Sequence, residues 1–512
     1  MSPAPGAEPT TSPAQAEPLR RTLLRSAAQF SFATVASQAS GLLRAYYIGR
    51  ALGPAVAGVW IGLQLVVSYG ANAHLGAIFG MHRNVPLLLG RGDEAGARDA
   101  ERSTLGFTLL AGLLCLAAVL AAALGALTPL EPLVDHRARE LLARLRDPGL
   151  LPVSVGIALV LPTNLLRSYY LTLMRAHNRF REASVASLVG SAVGVAGIPL
   201  IRAYGLVGVV WGLLALVGAE LLMLVRSAGV PRFGLSWPVL RRQFAYGLLT
   251  VAITLVSTLL GSIDRTVLLE HFTAEQRGLY YPAVLSATFF AGLASVPNAI
   301  LFPRLSERFG RTGDPAELVG LVDGPLRVVA VGLSLVAGAA ALAMPAVVAR
   351  LLPRFVEGAA AAQLALLGVA CSVAVGVVVN AFYALDRQWL FLGLSALGAA
   401  ASYGVTEVGV RLWPSLEAVA VGTSIGYLLY AVPVVLVGWS IMEQPLAAGV
   451  RAVGRVLLPI AASAVAVWLI LSITARLAAP ASIAGAALGE AAFLVVFGPW
   501  AFVVGRRFVR PG

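Results

Sequence analysis

The sequence predicts an all-α polytopic membrane protein of about fourteen transmembrane helices: two pseudo-symmetric six-helix lobes and two extra C-terminal helices. Three observations carry this prediction. First, 58% of the 512 residues are hydrophobic and only 12% charged, whereas a soluble domain carries roughly a quarter charged residues. So few charges could not cover the surface of a soluble fold this size. Second, the chain divides into fourteen apolar runs of the length a bilayer demands. A hydrocarbon layer of ~30 Å needs about 20 helical residues at ~1.5 Å rise each. Third, residues of the first six runs recur, in order, in the next six.

The runs fall near 27–49, 56–80, 104–127, 151–173, 184–203, 206–227, 244–268, 279–302, 326–349, 360–383, 390–410, 417–440, 453–475 and 482–505, and are called spans 1 to 14. Residues 1–25 are expected to be a disordered cytoplasmic tail, since their Pro, Ala, Thr, Ser and Glu cannot bury a core. Residues 26–228 form the expected N-lobe and 244–440 the C-lobe. A cytoplasmic linker, 229–243, joins them, and 441–512 hold spans 13 and 14 with a cytoplasmic end. Small residues four apart in span 5, Ala186, Gly190, Gly194 and Gly197, predict close helix packing. Pro162, Pro199, Pro282, Pro297 and Pro433 lie inside spans and mark expected bends.

All 38 basic residues are arginine, and the net charge is +13. In a soluble protein that charge would suggest nucleic acid. Here the arginines sit in short loops between apolar runs, and topology explains them. With the N-terminus inside, cytoplasmic segments hold 24 arginines and outside segments 11. The excess places both termini in the cytoplasm. Four of the outside arginines lie between Arg137 and Arg146. There Val134, Ala138, Leu141, Leu142 and Leu145 make one helical face, expected to lie on the outer membrane surface. No loop is long enough for an outside catalytic domain, and no GxxxxGK[ST] loop is present, so the chain is not expected to hydrolyse ATP itself. Cys115 and Cys371 lack metal-ligand spacing, and the five histidines form no HExxH cluster. No cofactor, metal or catalytic residue is expected.

The repeat is visible at three places. Arg44 is followed by Gly58-Val59-Trp60, and Arg265 by Gly278-Leu279-Tyr280. Ala176-His-Asn-Arg179-Phe180 follows span 4, and Ala384-Leu-Asp-Arg387-Gln-Trp389 follows span 10. Leu206 to Gly212 opens span 6, and Leu416 to Gly422 opens span 12. An even-numbered repeat puts both lobes in the same orientation. That implies a pseudo-two-fold axis along the membrane normal, with a path between the lobes.

Taken together, Arg44 with Leu52-Gly53-Pro54 and Gly58, the Arg175–Phe180 turn and Gly278-Leu-Tyr280 resemble the oligosaccharide (Wzx-type) flippases. These belong to the MOP superfamily, with the MATE multidrug exporters and the lipid II flippases. The likeness runs over residues 25–440. It implies a MATE-like fold, a bacterial inner-membrane location and alternating access. It also implies transfer of an undecaprenyl-diphosphate-linked oligosaccharide to the outer leaflet for surface polysaccharide synthesis, alongside a polymerase and glycosyltransferases, with membrane lipids around the protein and no nucleic acid partner. Ser37, Gly41 and Arg44 also match a lipid II flippase pattern. An Asp commonly follows that Arg, and here Ala45 does, which favours the broader family. The alternatives are a lipid II flippase, a MATE-like drug or cation exporter, or less plausibly a membrane polysaccharide polymerase or ligase.

Charges and amides inside a bilayer are costly, so each one is informative. Span 1 aligns Ser37, Ser40, Gly41 and Arg44. Span 2 aligns Gln64, Ser68 and Asn72, and span 7 aligns Thr250, Thr254, Ser257, Gly261 and Asp264 beside Arg265. Span 10 aligns Ser372, Gly376, Asn380 and Tyr383. Arg44 and Arg265 are the candidates to hold a diphosphate, with Gln64, Asn72 and Asn380 on sugar hydroxyls. The alternative is that both arginines snorkel to outer headgroups. Asn164 and Arg167, at the inner end of span 4, are entry-side candidates, and snorkelling is again the alternative for Arg167. Asp264, Glu220 and Glu490 are the ion-coupling candidates. Glu407 is expected to pair with Arg411 at i, i+4.

Overall fold

In a computed structural model the described residues are 13–126, 139, 142, 143, 145–229, 233–474 and 482–509. Among them there is no strand. Eleven helices are long and apolar enough to cross a membrane, and the chain is a multi-pass membrane protein. Each predicted span falls on a helix. The first helix, Pro13–Gly70, carries span 1 and half of span 2, bent at Gly53 (φ 72°). It begins twelve residues before the expected end of the tail, because residues 13–25 are rich in the helix formers Ala, Leu and Arg. The amphipathic helix expected at 132–146 lies largely outside the described residues.

Three spans are interrupted: span 5 briefly, at Gly197, and spans 2 and 7 by longer breaks. Span 2 ends at Gly70, turns through residues 71–76 and resumes as Ala77–Gly90. Span 7 runs Trp237–Leu260, breaks at Gly261-Ser262 and resumes as Ile263–His271. Membrane helices tolerate such breaks where neighbours or a wet cavity satisfy the released backbone. Tyr69 and Ser262, one beside each break, hydrogen bond at 3.0 Å. Of the bend-marking prolines, Pro162 and Pro433 lie inside Leu151–Ala176 and Leu416–Ile441. Pro199 and Pro282 instead stand in the first turn of new helices, Ile198–Tyr204 and Tyr281–Thr312. There proline's missing N–H costs nothing.

The sequence repeat reappears as repeated geometry. Asn178 (φ 58°) and Asp386 (φ 56°) both take the left-handed conformation that Asn and Asp tolerate. Behind them, Arg179 N donates to Met174 O and Arg387 N to Phe382 O, each at 2.8 Å. Spans 4 and 10 therefore end in the same six-residue cap.

The two halves touch backbone to backbone. A Cβ at Gly58 would overlap the carbonyl of Ala274, and a Cβ at Gly278 would overlap the carbonyl of Pro54. Each recurring glycine thus packs against the backbone four residues before the other. Nearby, Tyr281 Oη donates to Ala45 O at 2.7 Å. This contact closes the expected outer end. A second contact joins the lower halves of spans 2 and 7, where Gly76 and Gly247 abut. There Thr104 Oγ1 donates to Gln243 Oε1 at 2.8 Å, and Gln243 Nε2 donates to Ala100 O at 3.0 Å.

Candidate functional site

Between the two contacts lies a cavity of about 370 Å³. Span 1 contributes Gln38, Gly41 and Arg44, and span 2 Gln64 and Ser68. Span 7 adds Arg265, and span 8 adds Tyr281 and Thr288. Arg265 and Thr288 also line a neighbouring cavity of about 690 Å³, with Thr254 and Ser257 of span 7 and Ser372, Asn380 and Tyr383 of span 10. No Asp or Glu lines either cavity.

Both candidate arginines face this space. Gly194 of span 5 makes room for Arg44: a Cβ there would stand 3.2 Å from Arg44 Cδ. Arg44 forms no ion pair with a described residue. Arg265 lies beside the Asp264 carboxylate, Nε to Oδ1 3.8 Å, and its Nη2 donates to Gly261 O at 3.3 Å. Asp264 itself accepts from the Arg265 backbone N at 2.8 Å, in the first turn of the resumed helix. A charged group in a low-dielectric site needs a partner or water. Two guanidiniums therefore line this space, Arg265 with Asp264 beside it and Arg44 without an ion pair to a described residue.

The other candidates divide. Gln64 lines the first cavity and Asn380 the second, and all four residues of the span 10 stripe face it. Asn72 lines neither. Span 2 stops being helical at Gly70, so the i, i+4, i+8 stripe is cut, and Asn72 Nδ2 donates to Ser68 O instead. Ser37 and Ser40 also turn away: Ser40 Oγ donates to Ser191 O at 3.0 Å, and Ser191 Oγ donates to Ser37 Oγ at 2.9 Å. The true cavity face of span 1 is rotated by one residue, to Gln38, Gly41, Ala45 and Ile48 with Arg44. Gln38 was legible as a polar residue three before Gly41.

Asn164 and Arg167 face neither cavity. Arg167 Nη1 bonds Glu220 Oε2 at 3.1 Å, and its Nε donates to Asn164 Oδ1 at 3.1 Å. Ser187 Oγ donates to the other Glu220 oxygen at 2.7 Å. Glu220 is therefore a paired acid joining spans 4, 5 and 6. Its side chain is 5% exposed, so Arg167→Ala should leave a buried charge uncompensated, at a cost of about 3 kcal/mol. Thermal melting in detergent should show a large loss, and Arg167→Leu/Glu220→Leu should regain most of it. Equal losses in both variants would show that the pair contributes no such charge compensation. Glu490 is half-buried on the last helix and has no partner among the described residues.

Glu270, His271 and Glu407 bring ligand atoms within 4.8 Å of one another, a composition able to hold a metal ion. His271 Nε2 lies 2.9 Å from Glu407 Oε2, and Arg411 Nε donates to Glu407 Oε1 at 2.9 Å, as the i, i+4 spacing predicts. Tyr403 Oη donates to Glu270. The group ties the upper half of span 7 to span 11. Cys115 and Cys371 are free thiols.

The solved lipid II flippase MurJ in an inward closed conformation aligns with 94% of this chain and 99% of its own, at TM-score 0.66 and 12% identity. An inward-facing multidrug resistance MATE transporter of the MOP superfamily aligns with 81% of this chain and 96% of its own (TM-score 0.57, 17% identity). The fold is that of the MOP transporters. A third structure with the MOP fold, from Pyrococcus furiosus, aligns at TM-score 0.57 and 16% identity over 82% of this chain and 95% of its own. Its pocket is described as reversed in polarity. Residues 137–351 match the family model described as polysaccharide biosynthesis protein, in keeping with the resemblance seen in the sequence. No curated protein sequence matches the chain.

Proposed function

We propose that the chain is a flippase. It moves an undecaprenyl-diphosphate-linked oligosaccharide from the cytoplasmic to the outer leaflet by alternating access, for surface polysaccharide synthesis. The observation that carries this reading is the meeting of Arg44 and Arg265, one from each half, on a cavity with no lining carboxylate. A guanidinium presents a rigid fork of donors that matches phosphate oxygens and stays charged. Gln38, Gln64, Thr288 and Asn380 supply the neutral donors and acceptors that sugar hydroxyls require. A cation exporter would need the opposite charge here. The family match over residues 137–351 supports a role in polysaccharide synthesis.

In this reading the lobes are residues 26–228 and 244–440. The arginine count orients the backbone contact at Gly58 and Gly278 outward and the contact at Gly76 and Gly247 inward, so the cavity lies between two closed ends, and the inner one must open to admit substrate from the cytoplasmic side. The chain sits in a bacterial inner membrane with both termini inside. The protein itself performs no bond chemistry: its residues bind the anion, and the lobes move. A polymerase and glycosyltransferases would act after and before it.

The test uses a deletion strain. Lipid-linked oligosaccharides are extracted and their leaflet is probed with a membrane-impermeant glycosidase. Accumulation on the cytoplasmic leaflet, reversed by the wild-type gene, is expected. Unchanged amount and sidedness would overturn the reading. The 94% alignment with MurJ makes lipid II the second substrate to assay in the same extracts.

A further inference from the structure

Three arginines meet at the expected outer end, beyond the cavity that holds Arg44 and Arg265. Arg50 ends span 1, Arg350 ends span 9, and Arg354 stands in the 3-10 segment Pro353–Gly358. With Gly49, Leu352 and Phe355 they line a pocket of about 210 Å³. Its walls come from both halves of the repeat. No carboxylate lines it, and none of the three arginines forms an ion pair with a described residue. Glu357, three residues from Arg354, forms none with them. Arg50 Nη1 donates to Tyr46 Oη at 2.6 Å, which fixes the direction of its guanidinium. Gly53 brings the corner between spans 1 and 2 up to Arg354: a Cβ there would stand 3.5 Å from Arg354 Nη1.

Topology makes this gathering informative. Outward segments of a membrane protein are depleted in positive charge, yet three of the 11 outward arginines share this one pocket. All three are exposed, so core packing does not require them. Three forked donors around a small concavity are the chemistry that recognises a phosphate group.

The pocket also stands next to the central cavity. Arg44 and Arg50 are six residues apart on one helix, roughly 9 Å along its axis. One layer of side chains separates the two spaces: a Cβ at Gly49 would stand 2.9 Å from Leu352 and 3.0 Å from Tyr281. Tyr281 lines the inner space and Leu352 the outer one.

We propose that Arg50, Arg350 and Arg354 form a second phosphate-binding site, at the outer leaflet, for the phosphate of a lipid. The phosphate belongs either to the transported lipid as it leaves Arg44 and Arg265, or to a bulk anionic phospholipid headgroup. The exit role rests on the flippase reading; phosphate binding does not.

The test places the full-length protein in phosphatidylcholine nanodiscs. The measurements on the outer pocket use an Arg44→Gln/Arg265→Gln background, which removes both guanidiniums from the central cavity. Undecaprenyl diphosphate and phosphatidylglycerol are titrated separately, and bound lipid is counted by native mass spectrometry. Adding Arg50→Gln, Arg350→Gln and Arg354→Gln should weaken binding about tenfold or more. The triple Arg→Lys variant, which keeps charge but loses the fork, should fall between. Loss for undecaprenyl diphosphate alone assigns the transported lipid, and loss that includes phosphatidylglycerol assigns the headgroup. Equal binding of both probes with and without the three substitutions overturns the site, as does absence of binding to the background. Comparing the background with wild type judges the central cavity independently, so either reading can fail alone.

Discussion

Cells carrying Arg44→Gln/Arg265→Gln are expected to keep the protein in the membrane and lose transport by about a hundredfold or more. Each guanidinium offers charge-assisted hydrogen bonds worth about 1.5–3 kcal/mol, and a tenfold effect corresponds to about 1.4 kcal/mol. Either single variant should lose roughly tenfold or more, and Arg44→Lys should sit between wild type and Arg44→Gln. Glutamine keeps bulk and hydrogen-bonding capacity, so the loss would report charge and fork rather than a hole. The measurement is the leaflet distribution of lipid-linked oligosaccharide, with protein level quantified in parallel. Wild-type transport by the double variant would refute the role given to both arginines.

Gly58→Ala and Gly278→Ala should have the next largest effect, through shape rather than charge. Each added methyl would overlap a carbonyl of the opposite half, Ala274 or Pro54. Overpacking a close contact costs about 1–3 kcal/mol, which shifts a two-state balance roughly tenfold to hundredfold. The cost falls only on the state in which this end is closed. Spin labels at Ala55 and Glu275, both exposed beside the contact, should move apart in either variant, while alanine at the roomier Gly41 should leave them in place. An unchanged distance would mean that the glycines do not set the closed state.

Most of the architecture was legible because lipid leaves a sequence few options. Each span must be long, apolar and helical, and any polar residue inside one stands out against that background. So Arg44, Arg265, Gln64 and the stripe from Ser372 to Tyr383, which line two neighbouring cavities, stood out before any contact was known. The repeat was legible for a related reason. Left-handed turns at Asn178 and Asp386, and backbone contacts at Gly58 and Gly278, restrict which residues fit.

Three things were hidden. The pairing of Arg167 with Glu220 spans 53 residues, and no local spacing announces it. The break in span 2 carries no proline; its Gly70, Asn72 and Gly76 read equally well as a continuous helix. Rotation of span 1 was missed because Ser37 and Ser40 satisfy themselves on span 5, and serine in a membrane helix can hydrogen bond to a neighbouring helix without facing water. The stripe rule finds polar faces but does not distinguish a wet one from a glued one.

The side chain of Arg265 has two employers. Its Nη2 covers Gly261 O, the carbonyl stranded where span 7 breaks, and the same side chain faces the cavity. An anion bound as proposed would compete with that carbonyl for the same donors. On the proposed function, occupancy of the cavity and the bend of span 7 would be thermodynamically linked: whatever favours one arrangement of the break would alter affinity, and the bound anion would alter the break in equal measure. A ligand need not push the halves apart. It has only to hold Arg265 more tightly in one geometry of span 7 than in the other.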